Sequence, residues 1–162
     1  MEKFTVQDAV EFAVIAEQTG AKLYDRLASK FKDNAEMADL FNQLALDERT
    51  HEADFRRLLS NLPLEQMAEG GRYGTAEYLK ATVISEFFRK DAFTHLSDVV
   101  TPKDALENAF KLEKNTVLFY EALKDVIGDN PSLQTIIDTE KSHVVKLMEV
   151  MLADAKFRGL GD

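Results

Sequence analysis

Six residues of this chain have the types and spacings of a buried metal centre: Glu17, Glu48, His51, Glu113, Glu140 and His143. Carboxylate oxygens and imidazole nitrogens together suit iron, manganese or zinc. The chain has three histidines. Two of them carry a glutamate three residues earlier, in Glu48-Arg49-Thr50-His51 and Glu140-Lys141-Ser142-His143. On a helix that spacing places both side chains on one face, about one turn apart. His95 has Ala92 at the same spacing and is read as a surface or packing residue. There is no cysteine, which excludes a disulfide framework, thiol catalysis, an iron–sulfur cluster and a cysteine-ligated zinc site.

Such ligands need elements that aim them at one point, and the apolar pattern supplies four helices. Alternating steps of four and three run through Val6, Val10, Ala13, Glu17, Gly20, Tyr24 and Leu27, and again through Met37, Phe41, Leu44, Glu48, His51, Phe55 and Leu58, mostly apolar. Leu106, Ala109, Tyr120 and Leu123 form a third stripe, and Leu133, Ile136 and Leu147 a fourth. This is the period of an inward helical face. Breaks at Lys32-Asp33-Asn34, Gly70-Gly71, Thr101-Pro102 and Gly128-Asp129-Asn130-Pro131 place helices near 5–31, 34–62, 102–127 and 131–157. Thr101 is the expected N-cap of the third helix, with Pro102 at its first position. Residues 63–101 form a long crossover with short helices expected at 77–80 and 84–95. Phe87, Phe88 and Phe93 there are expected to pack on the bundle, with a homodimer contact as the alternative.

The halves repeat. An offset of 96 pairs Asp8-Ala9-Val10-Glu11 with Asp104-Ala105-Leu106-Glu107, Glu17 with Glu113 and Tyr24 with Tyr120; an offset of 92 pairs Glu48 with Glu140 and His51 with His143. Two antiparallel hairpins of one design, joined by a long crossover, make an all-α four-helix bundle. The midpoint of Glu17 and Glu48 falls at the first turn and that of Glu113 and Glu140 at Val126-Ile127, close to the second, so each pair sits side by side to within about a turn of ~5.4 Å. All six residues lie on inward stripes. An unpartnered buried carboxylate costs several kcal/mol even after relaxation, and no Lys or Arg occupies those stripes. A metal is the simplest cation that fits, which outweighs the reading of the two Glu-x-x-His pairs as surface contacts.

The 162 residues are read as a single domain, 1–162. The net charge of −9 argues against a nucleic-acid partner. No apolar run reaches a membrane span, and Met1-Glu2-Lys3-Phe4 is not a signal peptide, so the expected location is cytoplasmic, with no membrane partner.

With these motifs the sequence resembles the ferritin-like di-iron carboxylate proteins, on the rubrerythrin-like side. The resemblance implies two iron ions, for which manganese or zinc could substitute. It further implies bridging by Glu48 and Glu140, terminal carboxylates from Glu17 and Glu113, and one nitrogen each from His51 and His143. It implies an oxidase or peroxidase that reduces hydrogen peroxide or dioxygen with electrons from an external donor protein. The alternatives are a non-catalytic iron-binding, storage or delivery protein, or a structural bundle with a vestigial site. Three departures stand out. Thr116 occupies the place where rubrerythrins usually carry a further carboxylate, there is no cysteine-rich rubredoxin domain, and Arg49 stands where bacterioferritins carry a haem-binding Met, so no haem is expected. Tyr24 and Tyr120, two turns after Glu17 and Glu113, are expected to hydrogen-bond a ligand carboxylate of the opposite hairpin. Ala13, Gly20, Ala109 and Thr116 are expected to leave room for metals or a small oxidant.

Overall fold

The computed structural model describes residues 5–63 and 101–159, which form four helices with no strand among them. These are α1 (Val6–Lys30), α2 (Ala35–Asn61), α3 (Pro102–Ile127) and α4 (Pro131–Gly159). Each expected helix is present, with no end shifted by more than two residues. The two short helices expected in the crossover, and with them Phe87, Phe88, Phe93 and His95, lie outside the described residues.

Side-chain caps set the starts. Thr5 and Thr101, 96 residues apart, each close a capping box with the aspartate three residues on, Asp8 and Asp104. These boxes satisfy donors that the first turn leaves unpaired. Asn34 Oδ1 accepts the Met37 amide at 3.2 Å, and Asn130 Oδ1 accepts those of Ser132 and Leu133. At the end of α3, Gly128 has a φ of 86°, and its amide donates to the Lys124 carbonyl at 2.8 Å. A side chain there would be strained, so glycine stops the helix and lets the chain reverse.

α1 packs chiefly on α2 and α3 on α4, with α1–α3 and α2–α4 contacts joining the hairpins. The apolar core is split into two layers. One contains Val6, Val10 and Ala13 from α1, Phe55 and Leu58 from α2, Phe119 and Tyr120 from α3, and Leu133, Ile136 and Ile137 from α4. The other contains Tyr24 and Leu27, Phe41 and Leu44, Ala105 and Leu106, and Leu147. On every helix the glutamate of interest, with the histidine on α2 and α4, falls between the stretches that feed these layers. Helix direction follows as well: α1 and α4 enter from the first layer, α2 and α3 from the second. The result is an antiparallel four-helix bundle of two repeated hairpins, in which hydrophobic burial at both ends holds a polar slab in the middle.

Candidate metal centre

The polar slab consists of Glu17 on α1, Glu48 and His51 on α2, Glu113 on α3, and Glu140 and His143 on α4. All six are buried, with at most 4% of any residue exposed. Both imidazoles turn Nδ1 toward the carboxylates. His51 Nδ1 lies 2.6 Å from Glu140, 3.4 Å from Glu48 and 3.7 Å from Glu17. His143 Nδ1 lies 3.5 Å from both Glu113 and Glu140. Yet none of these approaches has hydrogen-bond geometry. Seven buried atoms are left without a partner: Glu17 Oε2, Glu48 Oε2, Glu113 Oε2, both Glu140 oxygens, and the two Nδ1 atoms. Buried polar groups in a folded core are otherwise almost always paired. Side chains that converge without bonding one another leave their polar atoms available to a common cation.

The ligand atoms divide into two groups, Glu17–Glu48–His51–Glu140 and Glu113–Glu140–His143, each within 4.8 Å. Glu140 is common to both, as a bridging carboxylate requires. Glu48 belongs to the first group alone. Oxygen and nitrogen donors of this mixture fit iron or manganese, and such an ion would be held through the carboxylate oxygens and the two Nδ1 atoms.

Two tyrosines fasten the carboxylates across the hairpins. Tyr24 in α1 donates its hydroxyl to Glu113 Oε1 in α3, and Tyr120 in α3 donates to Glu17 Oε1 in α1. This is the crossed pattern expected from the repeat. Each bond occupies one carboxylate oxygen and leaves the other, Oε2, facing the centre. Tyr24 stacks on Phe41 at 6.0 Å, and Tyr120 tilts against Phe55 at 4.8 Å, so aromatic packing sets the position of both phenols. Gly20 provides space: a Cβ there would come within 3.0 Å of Glu48 Oε1. Arg49 lies on the surface, paired with Asp25 at 2.5 Å.

Metal-free, the slab must hold protons. Burial and the charges of Glu140 and Glu113 push the Glu48 carboxyl up to about 8. Burial and the charge of Glu48 raise Glu17, and burial and the charge of Glu113 raise Glu140. Burial pulls the imidazoles down, but contacts with Glu140, Glu17 and Glu48 prevail for His51, which is pushed up to about 12. Contacts with Glu113 and Glu140 push His143 up to about 11. Burial, followed by the carboxylate charges, also holds both phenols well above the usual tyrosine range. Every raised value has the same sign for folding: the folded state binds more protons than the unfolded one. For the carboxyls, the contribution is full below the ordinary value of 4.5 and is lost as pH rises, for Glu48 through about 8. For the imidazoles it is full below 6.5 and is lost only near 11–12. Metal-free stability therefore falls with rising pH.

Sequence reasoning missed Asp47, whose Oδ2 lies 3.1 Å from His143 Nε2. The signal was adjacency: Asp47 immediately precedes Glu48 and so lies on a neighbouring face of α2. Only the packing of α4 against that face shows which histidine it meets.

A four-helix bundle of paired hairpins, with a buried slab of four glutamates and two Glu-x-x-His motifs, defines the class of ferritin-like di-metal carboxylate proteins. Within that class the chain belongs to the rubrerythrin family, whose sequence profile matches residues 8–151. It is similar to a solved structure from Thermotoga maritima, described as a ferritin-like diiron-carboxylate protein. The two share 27% sequence identity over 93% of this chain and 97% of that one, with a TM-score of 0.68. Among curated proteins none matches. No helix among the described residues is long and apolar enough to cross a membrane.

Proposed function

We propose that the protein holds two iron ions among Glu17, Glu48, His51, Glu113, Glu140 and His143, and reduces hydrogen peroxide or dioxygen with electrons from a separate donor protein. The observation that carries this reading is the set of seven buried, unpartnered ligand atoms facing one another. Iron bound there would supply redox chemistry to a small oxidant.

The chain's own contribution is arrangement. His51 and His143 present Nδ1. Tyr24 and Tyr120 fix the orientation of Glu113 and Glu17 so that one oxygen of each faces inward. The two apolar layers close both ends of the slab to water, which strengthens electrostatic interactions within it. Gly20 keeps clear the volume beside Glu48. The test is to reconstitute metal-free protein with Fe(II) under anaerobic conditions, then add peroxide or oxygen with a chemical reductant. Two ions per chain and sustained turnover are expected. Tight binding without turnover would favour iron storage or delivery, and binding of fewer than two ions would refute the site itself.

A further inference from the structure

The two halves carry the same residue types at every ligand position and at both tyrosines, but not behind the histidines. His143 Nε2 meets Asp47 Oδ2 at 3.1 Å, while Asp47 Oδ1 accepts a hydrogen bond from Gln43 Nε2 at 2.9 Å. The ring is therefore held at Nε2, against an anion that is itself anchored, and this leaves Nδ1 turned toward the carboxylates. The offset of 92 that relates His51 to His143 relates Asp47 to Thr139 and Gln43 to Thr135. Thr139 donates its hydroxyl back to the Thr135 carbonyl at 3.0 Å, within its own helix. Among the described residues no carboxylate lies behind His51 Nε2.

We propose that Asp47 is a positioning residue for His143 and makes the two metal positions inequivalent. The position formed by Glu113, Glu140 and His143 fills first; that formed by Glu17, Glu48, His51 and Glu140 fills second. An imidazole that ligates through Nδ1 must carry its proton on Nε2. A carboxylate accepting that proton fixes the tautomer and the ring plane and makes Nδ1 a stronger donor. Losing such a partner typically weakens metal binding about 10–100-fold. His51, with none among the described residues, is the weaker ligand by the same reasoning. The inference rests on the di-metal reading above.

The test is anaerobic titration of the metal-free protein with Co(II), followed by visible absorption and by NMR of the shifted, exchangeable imidazole N–H signals. Wild type is expected to take two ions in two steps, about 10–100-fold apart, with one N–H slow to exchange with solvent and one fast. Asp47→Ala is expected to weaken the first step until the two merge and to make the slow signal fast. Asp47→Asn, which keeps an acceptor oxygen, is expected to restore slow exchange. Two ions bound by wild type, with both steps and both signals unchanged in Asp47→Ala, would overturn the proposal while leaving the di-metal site intact. Fewer than two ions bound by wild type would overturn both.

Discussion

Replacing Gly20 with alanine should make the metal-free protein more stable and the metal-bound protein less so. Gly20 lies inside α1, three residues after Glu17, where glycine costs about 0.8–1.0 kcal/mol relative to alanine. The added methyl would sit 3.0 Å from Glu48 Oε1, so the carboxylate must retreat by a few tenths of an ångström. Without metal the tip of Glu48 is free to do so, and the helix keeps most of its gain. For a protein of this size, about 1 kcal/mol corresponds to roughly 2–4 °C in Tm. With metal, ligand distances are held to about 0.2 Å, and the same displacement falls on a bond. A tenfold loss of affinity removes about 1.4 kcal/mol of linked stabilisation, enough to cancel or reverse the helix gain. Calorimetry on metal-free and metal-loaded Gly20→Ala at equal free metal should show Tm shifts of opposite sign, or a clear rise only without metal. An equal rise in both forms would mean that the methyl never reaches the ligand, and the account of Gly20 as space for Glu48 would fail.

Between pH 6.5 and 8 the metal-free protein should lose about 1.4 kcal/mol per pH unit for each extra proton held by the fold, whereas the loaded protein should gain as protons cease to compete for the ligands; parallel melting curves would refute a shared site. Tyr24→Phe and Tyr120→Phe should each cost about 1–3 kcal/mol by stripping a buried carboxylate oxygen of its donor, and denaturant unfolding without a change in m would show it. Glu48→Leu should stabilise the metal-free bundle, by analogy with other buried charges replaced by apolar groups, by about 1–4 kcal/mol. The same variant should lose metal by elemental analysis, and unchanged metal content would remove Glu48 from the site. Asp25→Asn, which breaks a half-exposed pair with Arg49, should change stability by less than about 1 kcal/mol.

The helices were legible because each stripe, cap and stop is local. Thr101-Pro102 and Gly128 are punctuation that no tertiary contact had to supply. The six candidate ligands were legible for a related reason. A charged residue on an apolar stripe conflicts with its surroundings, and six such conflicts, paired across two turns, share one remedy. The crossed tyrosine bonds were expected because a buried phenol needs a partner for its hydroxyl, and the repeat makes them a matched pair. Asp47 was not legible, because it lies beside the stripe rather than on it, and its role depends on the rotation of α4 against α2. The membership of Glu48 in only one ligand group was equally out of reach: side-chain torsions, and not spacing, decide which carboxylate spans two positions.

The division of the core into two apolar layers explains how a bundle can carry this slab at all. Four buried glutamates and two histidines contribute little favourable burial of their own, and without cations they tend to drive the helices apart. Phe55, Phe119 and Ile136 at one end, and Phe41, Leu44 and Leu106 at the other, are almost wholly buried and clamp all four helices on both sides of the slab. The tyrosines belong to these layers and reach from them to the carboxylates, so the apolar frame orients the polar slab. When ions are absent, protons replace them on Glu48 and the histidines, and the frame need not open. Metal occupancy and proton occupancy then become alternative states of one folded structure. That gives a physical reason for the repeat to preserve both ligand sets while letting the flanking positions diverge, as Asp47 and Thr139 have. Divergence there changes which ion is held more tightly without disturbing the layers that hold the fold.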